Sequence, residues 1–270
     1  MSCAPGPAAV GVASLPMYDF PELRGHTDAL WDAIAVQLRA LGVDAVPRTL
    51  TRPDGPLVDH WLRPDLLLSH TCGYPVVRQL PGIHVLGSFS VVAGSSHAGH
   101  YRSVVVARGD DRRVRGGLAA FEGASVAAND DGSLSGWVSL GWALAEAGIA
   151  PGQVTFTGQH ALSVAAVRDR VADLASIDAH TYGLFCAHRA DAVAGLVVVG
   201  HGPEVAVTPL VTARGELVDT LRSAVAAALV GLSADVLRAL MITGWVPHDR
   251  TDHEPVLELA RKALSVLPPR

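Results

Sequence analysis

The feature that most constrains this chain is an alternation carried from end to end. Short apolar runs of strand length are each followed by a segment with helical spacing. Uninterrupted apolar runs suit strands covered on both faces, and the intervening helices supply the cover, so the pattern predicts α/β architecture. "AVGVASL" (9–15) reads as a first buried strand. "HTDALWDAIAVQLRALG" (26–42) places Trp31, Ile34, Leu38 and Leu41 on one helical face, with Thr27 as N-cap and Gly42 as stop. "PDLLLSH" (64–70) and "IHVLGSFSVV" (83–92) are further strands, and "AGSSHAGH" (93–100) is a loop. A second series opens with the strand "YRSVVVAR" (101–108), a helix around "GGLAAFEG" and the strand "ASVAA" (124–128). It continues with "NDDGSLSGW" (129–137) leading into a helix that ends near Ala147, then the strand "QVTFTGQ" (153–159). A helix (161–171), the strand "ADLASIDA" (172–179) and two strands, "AGLVVVGHG" and "VAVTPLVTARG", precede a mostly helical remainder.

Composition closes several function classes. The net charge of −5 provides no basic field, so no nucleic-acid partner is expected. Lys262 is the only lysine, and it lies in the amphipathic stretch "PVLELARKALSVL", which suits a solvated helix face. Pyridoxal Schiff-base chemistry and a P-loop both need a placed lysine, and neither is expected, nor is any other cofactor. Cys3, Cys72 and Cys186 are far apart and form no CxxC, so neither a disulfide framework nor a zinc cage is indicated. His97 with His100, His248 with His253, and Cys186 with His188 lack full ligand spacing, and no metal site is expected. Apolar runs fall short of a membrane span, so no membrane insertion is expected. The N-terminal segment has no basic region and no long apolar core, which predicts a cytoplasmic location for the chain as given.

In open α/β sheets ligands gather beyond the carboxyl ends of strands. The polar outliers fall there: Tyr18, Ser69 to Tyr74, Asn129 to Gly136, His160 and Asp178. "NDDGSLSGW" has three readings. A nucleophile elbow needs Gly-x-Ser-x-Gly, and the register fails for both Ser133 and Ser135. A capped helix start needs only one of the serines. Two hydroxyls, a glycine and the amides of a helix start also make a nest for an oxyanion, because the helix dipole is positive there. His160, in "FTGQH", is placed to donate to the same anion or to be a surface turn residue. Asp178 ends an apolar strand, where a bare carboxylate needs a partner: a ligand group or the next helix start.

"PMYD", "PDLLLSHTCGYP", "YRSVVVAR", "AANDDGSLSGW", "TGQHALSVAAV" and "ADLASIDAHTY" occur in the order and spacing of the phosphate, phosphite and phosphonate-binding proteins of ABC transporters. The chain resembles that family from about Leu15 to about Thr212. The resemblance implies the type II periplasmic binding protein fold: two α/β lobes, each a mixed sheet flanked by helices, joined by two crossovers near 93–103 and 199–208, with ligand in the cleft and hinge closure. Lobe 1 would be 1–98 plus 203–270, and lobe 2 would be 99–202. The family's Ser-x-Ser-Gly turn assigns the phosphoryl oxygens to Ser133, Ser135 and Gly136. The same resemblance implies ligand contacts for Tyr18, His70, Thr71, Tyr101, His160 and Asp178. It implies a small phosphate- or phosphonate-like anion as ligand, bound without chemistry, an ABC transporter permease as partner, and a periplasmic location. The alternative is a cytosolic enzyme or sensor on the same scaffold acting on a small anionic metabolite, with His160 and Asp178 as acid and base.

Overall fold

The computed structural model describes residues 11–92 and 97–268. The chain divides into two units, Met1–Ser90 with Thr208–Arg250, and Val91–Val207 with Thr251–Arg270. The first stretch forms β1 (Val12–Ser14), α1 (Arg24–Ala40), α2 (Leu57–Trp61), β2 (Leu66–His70), α3 (Gly73–Arg78) and β3 (His84–Val91). In the second unit follow β4 (His100–Tyr101), β5 (Ser103–Arg108), β6 (Ser125–Ala128), a π-turn (Leu134–Val138) running into α4 (Ser139–Glu146), and β7 (Gln153–Phe156). That unit continues through α5 (His160–Arg168), β8 (Leu174–Asp178), α6 (Ala179–His188), α7 (Ala190–Val193), β9 (Leu196–His201) and β10 (Val205–Ala206). The chain returns to the first unit with β11 (Leu210–Thr212), α8 (Val218–Gly231), α9 (Ala234–Ala239) and β12 (Ile242–Val246), and ends in α10 (Val256–Leu264).

Each unit has a five-stranded mixed sheet, β1-β2-β11-β3-β12 in the first and β7-β6-β8-β5-β9 in the second. In the first, β1 and β2 are parallel while β11 runs antiparallel to both β2 and β3. In the second, β6 is parallel to β7 and β8, while β5 runs antiparallel to β8 and β9. The reversed strand is in each case the first sheet strand after the chain enters that unit. Because it runs backwards, its start lies level with the carboxyl ends of its neighbours: Leu210 pairs with His70, and Ser103 pairs with Asp178. The two units thus build similar edges from different stretches of chain.

The cores follow the apolar runs. α1 buries Leu30, Trp31, Ile34 and Leu38 against α8, and each such side chain contributes about 1.5–3 kcal/mol on full burial. The strands Leu66–His70 and Leu174–Asp178 are buried throughout.

Several details differ from expectation. Thr27 is not the cap of α1 but lies inside it, donating its hydroxyl to Asp19 Oδ1 at 2.5 Å and to the Arg24 carbonyl at 3.1 Å. Gly42 does end the turn, with φ of 78°. "GGLAAFEG" forms only a four-residue 3₁₀ turn, Leu118–Phe121, between Gly117 and Gly123, both at positive φ, too short a span for an α-helix. "VAVTPLVTARG" is two strands, one in each unit, parted at Thr208–Pro209, where proline removes a ladder donor. Strand β12 falls in the stretch expected to be helical.

Residues 251–270, expected in lobe 1, group with the second unit, so the chain passes between units three times. The cause is packing: α10 buries Val256, Ala260 and Ala263, and its end presses Leu267 and the Ala263 carbonyl against Gly141 of α4, where no Cβ would fit. Lys262 is exposed and pairs with Glu146. Residues 1–10 and 93–96, including Cys3, lie outside the described residues.

Candidate functional site

In the second unit the carboxyl ends of β6, β7 and β8 lead into the three segments that carry Ser133 to Gly136, His160 and Asp178. Ser133 is an extended N-cap residue (φ −81°, ψ 128°), and its Oγ accepts the Gly136 N–H at 3.0 Å. The capped-helix reading therefore accounts for Ser133. The turn that follows is wide: the Val138 N–H reaches the Ser133 carbonyl and the Ser139 N–H reaches the Leu134 carbonyl. Single π-turns of this kind occur inside helices at functional sites. The first amides of any helix also have no intrahelical acceptor.

Ser135 has a different set of partners. Its Oγ lies 2.9 Å from His160 Nε2, and its carbonyl accepts the Ser176 hydroxyl at 2.6 Å. Gly136 packs close to Asn129: a Cβ there would stand 1.8 Å from Asn129 Oδ1, so the asparagine side chain would have to move aside. His160 begins α5 and keeps part of its surface exposed, yet its ring nitrogens lie in dense surroundings and burial pushes its pKa down to about 4. His160 Nδ1 is buried with no hydrogen-bond partner, as is the Ser139 hydroxyl one turn along the helix. None of the hydrogen bonds of Ser133, Ser135, Gly136 and His160 involves a Lys or Arg. This edge offers hydroxyl groups and a helix start.

Asp178 is buried and caps α6, its Oδ1 accepting the Thr181 N–H at 2.8 Å. Ser103, its sheet partner, has a buried hydroxyl without a hydrogen-bond partner. Tyr101, two residues earlier, is fully buried in the two-stranded ribbon with β10. Tyr101 and Asp178 thus lie at the same edge of the second sheet as the serine turn.

The first unit brings Tyr18, His70 and Thr71 together at its own edge. His70 Nε2 donates to the Thr208 carbonyl at 3.1 Å and lies 2.9 Å from Thr208 Oγ1. Tyr18 closes the set through its hydroxyl, 3.0 Å from the same Oγ1, with its ring edge-on to His70 at 5.2 Å. Burial lowers the His70 pKa to about 4, partly offset by the Thr208 carbonyl. Thr71 donates its N–H to the Pro209 carbonyl at 2.9 Å, while its buried hydroxyl has no hydrogen-bond partner.

Ser176 and Thr208 were not singled out from sequence, yet they hold Ser135 and His70 respectively. Ser176 had a visible signal, a lone small polar residue in an apolar strand facing the next layer. Thr208 had none, because its partners are 138 and 190 residues away in the chain. The histidines weighed as metal ligands have other contacts: His97 Nδ1 meets Glu204 at 2.6 Å, and His248 Nε2 meets the Ser88 hydroxyl at 2.7 Å. Cys72 is buried and Cys186 exposed. No helix among the described residues is long and apolar enough to cross a membrane.

Comparison with known proteins places this geometry. Among solved structures, the chain is similar to a binding protein component of an ABC phosphonate transporter from Pseudomonas aeruginosa, with 14% identity, a TM-score of 0.71, and coverage of 96% of this chain and 87% of that one. A Prochlorococcus marinus protein, PhnD1, solved with methylphosphonate, matches at 14% identity and TM-score 0.73, covering 95% of this chain and 99% of the other. A Xanthomonas citri protein solved with ATP matches at 15% identity and TM-score 0.66, over 96% and 98%. At these identities the likeness shows the fold, that of periplasmic binding proteins. No curated protein sequence matches the chain. A family model does match it, over residues 63–253, described as ABC transporter, phosphonate, periplasmic substrate-binding protein. That span covers well over half of the chain, including the serine turn, His160 and Asp178, and the chain belongs to the family of periplasmic substrate-binding proteins of phosphonate ABC transporters.

Proposed function

We propose that this protein binds a small phosphonate- or phosphate-like oxyanion on the turn Ser133–Gly136 and releases it unchanged to an ABC transporter permease, the partner its family implies. The observation that carries the reading is the convergence of Ser135, the closely packed Gly136 and a helix start, with no competing charge bonded to them. Amide and hydroxyl dipoles at a helix start stabilise a negative group without a counter-cation. Tyr101 and Asp178 line the same sheet edge, and Thr71, with His70 and Tyr18 behind it, is the ligand-facing set we assign to the first unit.

An acid–base role for the pair His160 and Asp178 is not favoured. Asp178 Oδ1 is committed to the Thr181 N–H, and no carboxylate orients the second nitrogen of His160. We place the protein where its family works, outside the cytoplasmic membrane, and fractionation of cells making the natural gene product checks this. The test of the ligand class is calorimetric titration with methylphosphonate, inorganic phosphate and sulfate, followed by recovery of the ligand. Saturable binding of methylphosphonate or phosphate, recovered intact, is expected. Silence toward both, or turnover of either, would overturn the reading.

A further inference from the structure

We propose that the outer edge of β9 is a docking strand for an extended acidic segment of a partner protein, which pairs antiparallel to Leu196–His201 and sets its carboxylates among Arg108, Arg168 and Arg170. This surface is separate from the serine turn. β5 runs against its neighbours, so its last residue, Arg108, lies level with the amino ends of β6 and β8. Ser133, Ser135 and Asp178 stand at the opposite edge of the same sheet.

Sheet edges invite pairing by another chain, and proteins blunt them with short strands, charges or proline. The two five-stranded sheets end in β1 with three residues, β7 with four, β12 with five and β9 with six. β9 is the longest of these, and its run Leu-Val-Val-Val-Gly-His holds no proline, carboxylate, lysine or arginine. Val198, at its middle, is 39% exposed. β5 pairs with the inner side of β9, and among the described residues no strand lies on its outer side. A strand added to such an edge gains main-chain hydrogen bonds along its length, and side-chain pockets beside it select the partner.

The selecting pocket is at the start of β9. A cavity of about 400 Å³ there is lined by Leu196 and Val197, by Arg108, Arg168 and Arg170, and by Asp110 as the one carboxylate of its lining. Arg108 is largely buried and fixed: its Nη1 donates to the Val167 and Ala172 carbonyls at 3.2 and 3.3 Å, and its Nε lies 3.5 Å from Asp110. Asp111, 3.8 Å from Arg108, is taken by Arg113 at 2.7 Å. Arg168 and Arg170 are exposed and pair with Asp169 and Asp110. Exposed pairs of this kind add little stability, so a carboxylate from a partner can replace them on either guanidinium. Arg170 follows the helix cap Asp169 with φ of 64°, a position where glycine is usual, and so carries a cation where the backbone asks for no side chain. Direction follows from the ladder. A strand antiparallel to β9 ends beside Leu196, so the carboxylates belong at the C-terminal end of the docked segment.

The probe is a fluorescein-labelled peptide, Thr-Val-Thr-Val-Asp-Glu with a free C-terminus, read by anisotropy against the amidated peptide Thr-Val-Thr-Val-Asn-Gln. Saturable binding of the acidic peptide is expected, with the neutral one weaker by about 10-fold. Arg168→Gln/Arg170→Gln should weaken the acidic peptide by about 10-fold and leave the neutral one unchanged. Val198→Lys puts a blunting charge on an exposed position and should abolish binding of both, while Val198→Thr should keep both within about 3-fold. Thermal midpoints equal to that of the unaltered protein show that the variants fold. No binding of the acidic peptide, or equal binding of the two peptides, would overturn the proposal. A concentration-dependent dimer in sedimentation, abolished by Val198→Lys, would assign the edge to a second copy of this chain and overturn it too. None of these readouts uses the serine turn, so the oxyanion reading stands or falls separately.

Discussion

The carboxyl edges of the two sheets each present a histidine whose pKa burial of the ring lowers to about 4, and the two are committed differently. His70 is closed in: its Nε2 meets both acceptors of Thr208, and Tyr18 completes the ring of bonds. His160 has one bond, to Ser135, beside the unpartnered hydroxyls of Ser103 and Ser139. Buried polar groups are nearly always satisfied in a finished protein. The first unit's set is bonded within itself apart from the Thr71 hydroxyl, whereas the second leaves the Ser103 and Ser139 hydroxyls and His160 Nδ1 unbonded, and the proposed anion site draws on that difference. Similar edges, each built by a reversed strand, have been put to different uses.

That comparison breaks first at Gly136. A Cβ at 1.8 Å from Asn129 Oδ1 forces the asparagine or the turn to move, and overpacking of this kind costs about 1–3 kcal/mol. Gly136→Ala should lower the thermal midpoint and abolish measurable anion binding. Retained affinity would mean that the turn is not the site.

Acid should act next. Both histidines are neutral in the fold with pKa near 4, against 6.5 when unfolded, so the unfolded chain binds more protons between these values. Stability is fully present above pH 6.5 and should fall as the pH drops toward 4, where both rings charge. Chemical denaturation across that window checks it, and a flat profile would show that neither ring is held neutral.

A smaller effect is expected at Thr208. Thr208→Val removes the Tyr18 hydroxyl contact, a loss of about 0.5–1.5 kcal/mol, while the His70 bond to the Thr208 carbonyl survives. Denaturation should record the cost, and methylphosphonate affinity should move by no more than about 3-fold. An affinity loss larger than the stability loss would make the first unit's network part of the binding surface itself.

Much of this was legible in the chain. Apolar runs marked most of the central strands, since burial on both faces leaves a signature that needs no tertiary knowledge. Ser133, Ser135 and Gly136 stood out because hydroxyls and glycine ahead of a helix have few roles. What escaped was set by contacts distant in sequence. The closure of His70 comes from Thr208, 138 residues away in the chain. The short strand β12, which pairs with β3 at the sheet's edge, and the return of residues 251–270 to the second unit were also invisible, because packing partners decide both. The serine pair looked equivalent in sequence, but geometry made one a cap and set the other against His160.

That division of labour is also where the central claim is most exposed. Methylphosphonate titrated into Ser133→Ala and Ser135→Ala, with thermal midpoints of the ligand-free proteins recorded in parallel, separates cap from contact. Loss of a hydrogen bond to a charged group is worth about 1.5–3 kcal/mol, so Ser135→Ala should weaken binding by about 10- to 100-fold with its midpoint unchanged. Ser133→Ala should lower the midpoint, because losing an N-cap costs about 0.5–2 kcal/mol. Unchanged affinity in Ser135→Ala with a lowered midpoint would contradict the account, leaving Ser135 as structure and the anion site elsewhere.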